Sequence, residues 1–143
     1  MTSITKLFGS YGFNTELNNF NEEMNFFGKM SILDWCGVAY AGKKEPVSKI
    51  VAEMVKEENG VNQARVITTG HNVSARGAAL ANGAAGHALD YDDTHFLFVG
   101  HPTSSALPTT LALGEELSDG LHVCAITGAD CVAVDSSYGS TYK

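Results

Sequence analysis

Between Asn82 and Pro108 the chain reads Asn-Gly-Ala-Ala-Gly-His-Ala-Leu-Asp-Tyr-Asp-Asp-Thr-His and, after a short apolar interval, Gly-His-Pro-Thr-Ser-Ser-Ala-Leu-Pro. Here His87, Asp90, Asp92, Asp93, Thr94, His95 and His101 combine proton donation, proton acceptance, hydrogen bonding and metal-ligating capacity. His101 precedes a proline that fixes the chain direction, and an imidazole so held can act as a general acid or base near neutrality. Asp90 can hydrogen-bond a substrate or orient that base, and its alternative is local contact at a helix end. Thr94 can bond a substrate carboxylate or close a turn. The plainer readings apply to the other histidines: His87 packs on the preceding helix, His95 faces solvent, and His71 and His122 lie at the surface.

These residues need elements to place them. Ten of the fourteen residues from Ala75 to Ala88 are Gly or Ala, and Ser74 is suited to cap a helix running to about Leu89. Each glycine inside it costs roughly 1 kcal/mol relative to alanine, so Gly77, Gly83 and Gly86 imply close approach of neighbouring helices to a buried central one. After His101-Pro102, Thr103 or Ser104 is expected to cap a helix ending near Leu117, with Pro108 in its first turns.

Upstream, apolar residues recur at helical spacing from Leu17 to about Ala41, and the later half is apolar on most sides. Trp35, Tyr40 and the phenylalanines are assigned to the core. Pro46 opens an amphipathic helix with Val47, Ile50, Val51, Met54 and Val55 on one face, stopping near Asn59-Gly60. A short extended piece, Ala64 to Thr68, precedes the turn at Gly70. Residues 1–14 read as an irregular arm because Gly9, Gly12 and Asn14 interrupt the pattern. Leu121 to Val134 reads as a last apolar helix, and residues 135–143 as a divergent polar tail. The fold class is all-α with at most one short strand, and the helical domain spans 15–134.

The chain has 143 residues and a net charge of −7, which excludes the cationic footprint that nucleic acid or an anionic membrane requires. No apolar run approaches the roughly 20 residues of a membrane span, so a cytoplasmic address is expected. Cys36, Cys124 and Cys131 match neither a zinc set nor a disulfide framework, and their apolar contexts suggest buried thiols. From Gly77 to Tyr142 there is no Lys or Arg, yet eight acidic residues fall there. An anion bound at the central loop must therefore find its cations elsewhere.

Leu33-Asp34 with Gly37-Val38-Ala39 and Ala41-Gly42, Ala79-Leu80-Ala81-Asn82-Gly83 leading into His87-Ala88-Leu89-Asp90-Tyr91-Asp92-Asp93-Thr94, and His101-Pro102 before Leu107-Pro108 together resemble the MmgE/PrpD family. That family includes 2-methylcitrate dehydratase and cis-aconitate decarboxylase. The resemblance runs from about Leu17 to Val134. It implies a lyase for small di- or tricarboxylates that needs no cofactor or metal, a helical domain beside a smaller α/β lid, and a homodimer. Carried over position by position, Asp90, Thr94 and His101 match the family's active-site residues, with His101 and Asp90 catalytic and all three binding substrate. Asp92 and Asp93 are assigned to loop structure first. Family chains are several times longer, and their further catalytic histidine and substrate-binding lysines lie beyond the point where this one stops. The sequence therefore reads as an N-terminal portion, inactive alone.

Two rival readings remain. Asp90, Asp92, Asp93, His95 and His101 have the composition of a divalent-metal hydrolase site, and Asp90-Tyr91-Asp92-Asp93 matches the acid motif of some terpene cyclases, although four letters are weak evidence. The other reading is a non-catalytic helical piece that dimerises through its apolar faces.

Overall fold

A computed structural model describes residues 3–14, 19–96, 99–117, 125–127 and 130–132. Five helices carry the fold: α1 (Ile4–Asn14), α2 (Glu22–Ala41), α3 (Pro46–Glu57), α4 (Ala75–His87) and α5 (Thr103–Glu116). The extended content is two short antiparallel pairs. β1 (Ala64–Arg65) pairs with β2 (Asn72–Val73), and β3 (Ala125–Thr127) pairs with β4 (Asp130–Val132). The helical class expected from the sequence holds. Among the described residues, no helix is long and apolar enough to cross a membrane.

Local signals explain where the helices start. Asn21 accepts a hydrogen bond from the Met24 N–H at 2.8 Å and so caps α2, with Glu22 and Glu23 in the first turn where the helix dipole favours them. Pro46 occupies the first turn of α3, and Ser74 caps α4 by accepting from the Gly77 N–H at 3.1 Å.

Helix α4 is the centre of the packing and touches α2, α3 and α5. Its three glycines each face a different neighbour. A Cβ on Gly77 would stand 3.2 Å from Val55 of α3, and one on Gly83 would stand 2.9 Å from the Ser104 carbonyl oxygen of α5. One on Gly86 would run into the Trp35 indole of α2. The small residues are the contact surface itself. On one side lies a core of Ala52, Val55, Val66, Val73, Ala78, Ala81 and their neighbours; on the other, Trp35, Ala39, Ala85 and Leu107.

One polar side chain ties the first core together. Asn82 is buried, accepts from the Ile67 N–H and donates to the Arg65 carbonyl, both at 2.9 Å. It completes the hydrogen bonding of a strand too short to do so through its own ladder.

Several expectations are corrected. Residues 4–14 form a helix rather than an irregular arm, because Ile4, Leu7 and Tyr11 keep helical spacing and outweigh the breaker signal of Gly9. The stretch read as a helix from Leu121 to Val134 contains the β3–β4 hairpin. Ile126, Thr127 and Val132 are β-branched, and a short apolar run cannot be assigned by periodicity alone. Thr103 is the first residue of α5 rather than its cap, and Pro108 is its sixth residue, inside the helix. A proline there leaves the Ser104 carbonyl without its helical donor, and this is the carbonyl over which Gly83 packs. Tyr40 and Cys36 are exposed on α2 rather than buried, as are Phe26, Phe27, Met30 and Leu33, because α2 buries only a narrow face marked by Gly28, Trp35 and Ala39. Partial burial still pushes the Cys36 thiol above its usual range. Cys124 and the 135–143 tail lie outside the described residues.

Close packing at α4 has a measurable consequence. Gly86→Ala is expected to destabilise the fold by about 1–3 kcal/mol through overpacking against Trp35. Gly9→Ala, where an added methyl group meets nothing within 4 Å, should leave stability unchanged or raise it by up to roughly 1 kcal/mol. Denaturant titrations of both variants check the contrast, and equal effects would show that close approach is not what the α4 glycine serves.

Candidate active site

The last residue of α4 is His87, and the chain leaves the helix through Ala88. Asp90 takes a left-handed conformation, φ 55°, while its N–H bonds back to the His87 carbonyl at 3.1 Å. Aspartate tolerates this region better than most side chains. The reversal sends Asp92 inward and leaves the Asp90 side chain 77% exposed. Further on, His95 and Gly100 form an isolated antiparallel bridge, which returns the chain so that His101 stands beside the exit of α4. Val99 within this return is also left-handed, φ 53°, a strained conformation for a β-branched residue.

The result is a compact cluster. The Asp92 side chain is 1% exposed, and both of its oxygens lie 3.1 Å from His87 Nδ1. His101 Nδ1 lies 3.5 Å from Asp92 Oδ1 and 3.3 Å from the Asp92 carbonyl oxygen. On its other edge, His101 Nε2 is 3.4 Å from Asp90 Oδ1. The two imidazole rings have centroids 4.8 Å apart. His87 is about half exposed and His101 about a quarter exposed, so both rings are reachable from outside while the carboxylate between them is not.

Asp93 points the other way. Its Oδ1 accepts from the Thr103 N–H at 3.1 Å and so serves the N-terminus of α5, the function that the sequence assigned to Thr103 or Ser104. Behind the loop lies a cavity of about 300 Å³ lined by Met30, Ser31, Asp34, Trp35, Asp92, Asp93 and Thr103. Two of its lining residues carry buried polar atoms, Trp35 Nε1 and Thr103 Oγ1, with no hydrogen-bond partner among the described residues.

Of the residues singled out from sequence, Asp90 and His101 are brought together, and Thr94 is exposed on the loop between them. Two members of the cluster were read as structural. Asp92 is its buried centre and His87 its second imidazole, and the signal available was the five-residue spacing between them across a helix end. His95 is placed by the loop bridge and contributes no atom to the His87, Asp90, Asp92 and His101 group.

Chemically, the cluster is suited to moving protons. It offers two imidazoles, one buried and one exposed carboxylate, and no cation. A polyanion approaching it needs positive partners from outside the stretch between Gly77 and Tyr142, which has no Lys or Arg.

The family model described as the MmgE/PrpD N-terminal domain matches residues 8–133. No curated protein matches the chain significantly.

The role of Asp93 can be separated from that of its neighbours. Asp93→Ala removes the side-chain acceptor at the start of α5 and should cost about 1 kcal/mol, the usual worth of such a cap. A stability loss indistinguishable from zero in chemical denaturation would refute the capping assignment.

Proposed function

This chain belongs to the MmgE/PrpD family, and from that premise we propose that it forms the histidine- and aspartate-bearing part of a lyase acting on a small di- or tricarboxylate such as 2-methylcitrate or cis-aconitate. The observation that carries the reading is the placement of His101, a ring about a quarter exposed, with Nε2 beside the Asp90 carboxylate and Nδ1 turned to Asp92. In a dehydration, a base takes the proton from the carbon next to a carboxylate. The freed electron pair becomes the new C=C bond, and the hydroxyl on the neighbouring carbon leaves as water after taking a proton from an acid. In a decarboxylation, the C–C bond to a carboxylate supplies the electron pair, CO₂ departs and an acid returns a proton to carbon. Both need a positioned proton-transfer group, and His101 is that group. A proton arriving on its Nε2 meets the Asp90 carboxylate. Thr94, exposed on the same loop, is the hydroxyl donor for a substrate carboxylate.

Charge sets the condition for activity. The negative charge that builds on the substrate must be stabilised by positive or donor groups, and the acidic loop supplies none. Those groups come from another segment or another subunit. The exposed Phe26, Phe27, Met30 and Leu33 of α2 support a homodimer.

A divalent-cation site is the second reading, favoured by one observation. Ligating atoms of His87, Asp90, Asp92 and His101 lie within 4.8 Å of one another. Ligands around a tetrahedral zinc are separated by about 3.4 Å, so the widest separation here would have to close for zinc to bind, whereas the contacts of 3.1, 3.4 and 3.5 Å serve a hydrogen-bonded acid–base set as they stand.

Two experiments test these readings. Alkene formation and CO₂ release from 2-methylcitrate and cis-aconitate would be followed with the chain alone and with the lysine-bearing C-terminal part of a family member added. Turnover is expected only in the second case, and His101→Ala should lower it about 10²- to 10⁴-fold with the helical content unchanged. Full turnover by the variant, or none by the complemented protein with either acid, would defeat the lyase reading. Calorimetric titration with Zn²⁺ and Mn²⁺ should show no tight binding; micromolar affinity lost in Asp92→Asn would favour the cation site instead.

A further inference from the structure

Every neighbour of the two Nδ1 atoms in the cluster is an acceptor. His87 Nδ1 faces both oxygens of the Asp92 carboxylate at 3.1 Å. His101 Nδ1 faces Asp92 Oδ1 at 3.5 Å and the Asp92 main-chain carbonyl at 3.3 Å. A carbonyl can only accept, and so can an ionised carboxylate. A neutral imidazole has one N–H and one lone pair, so in His87, which meets acceptors at Nδ1, that nitrogen holds the hydrogen. His101 has acceptors at both nitrogens, with Asp90 Oδ1 3.4 Å from Nε2. Its hydrogen goes to the carboxylate that water cannot reach, Asp92, rather than to the 77% exposed Asp90.

The burial of Asp92 gives this preference its force. With 1% of the side chain exposed, the carboxylate has almost no water, and a buried charge without donors is costly. Among the described residues its side-chain donors are the two ring nitrogens, and its oxygens are their shared acceptor. If either ring turned its lone pair toward Asp92, a buried anion would face a second region of negative charge.

We propose that Asp92 is a positioning residue that serves His87 and His101 together: it holds both neutral rings as the Nδ1–H tautomer and so presents both Nε2 atoms outward as the proton-accepting atoms of the site. Asp92 acts through the rings and touches no substrate. His87, with its ring about half exposed and centred 4.8 Å from that of His101, becomes a second acid–base group of the site. The two rings are not equivalent. His101 Nε2 has the Asp90 carboxylate 3.4 Å away to receive a proton-bearing ring, whereas no such contact is recorded for His87 Nε2 among the described residues. His101 therefore suits the step in which a proton is taken and kept, and His87 the step in which a proton is passed on. The catalytic use of the pair rests on the lyase reading, and the tautomers rest on the cluster geometry alone.

The test needs no turnover, so a failure of the lyase reading and a failure of this one are seen in different experiments. Long-range proton–nitrogen spectra of the ¹⁵N-labelled chain, taken at a pH where the rings are neutral, distinguish the two nitrogens of each imidazole. His87→Gln and His101→Gln assign the signals. The expected result is a pyrrole-type shift at Nδ1 and a pyridine-type shift at Nε2 for both rings. An Nε2–H form of either ring as the major species would overturn the proposal. In Asp92→Leu the side chain fills similar space and offers no acceptor to either of the two rings. A second tautomer is expected to appear in at least one of them, with unchanged circular dichroism. Retention of both wild-type tautomers in a folded Asp92→Leu would also refute it, and if that variant does not fold the wild-type spectrum decides.

Discussion

Helix α4 can touch three other helices at once only because its side chains have been reduced to almost nothing on the faces that matter. Gly77 lies against α3, Gly83 against a main-chain carbonyl of α5, and Gly86 against the indole of α2. A methyl group at the last of these would have to displace the largest fully buried side chain among the described residues. The position of α5 relative to α4, and with it the separation of His87 from His101, depends on the contact of Gly83 with the Ser104 carbonyl. The site is thus set by how near two backbones can come.

Upon this frame the loop solves an electrostatic problem. Three aspartates fall within four residues, and like charges so close are unfavourable unless they are sent in different directions. The left-handed turn at Asp90 separates them. Asp90 stays in solvent, Asp92 goes inward to the imidazoles, and Asp93 goes to the N-terminus of α5, where main-chain N–H groups and the helix dipole receive a negative charge. What looked from composition like one acidic patch is three carboxylates with three different partners.

How much of this could be read in advance depended on the range of the interactions. Helices α3 and α4 were legible because Pro46 and Ser74 act within one turn of themselves, and the glycines of α4 announced close packing without naming the neighbour. The amphipathic spacing in residues 4–14 was present but was discounted against Gly9. The pairing of β3 with β4 was missed because an apolar run of that length carries no period that separates helix from strand. Within the site, Asp90 and His101 were found through a motif, whereas Asp92 and Asp93 were not assigned their partners. Their contacts cross five to ten residues of irregular chain, where neither 3.6- nor 2-residue periodicity gives direction. Asn82 was hidden likewise: its partners, Arg65 and Ile67, are fixed only once the short β1–β2 pair is in place.

The alanine and glycine lining of the central helix also bears on how the protein responds to temperature. Such residues bring atoms into contact while removing little hydrocarbon surface from water, and the heat-capacity increment of unfolding scales with that surface. Cohesion from contact rather than from hydration leaves a shallower stability curve. A fold assembled this way loses less of its margin on cooling than one built around leucine and phenylalanine.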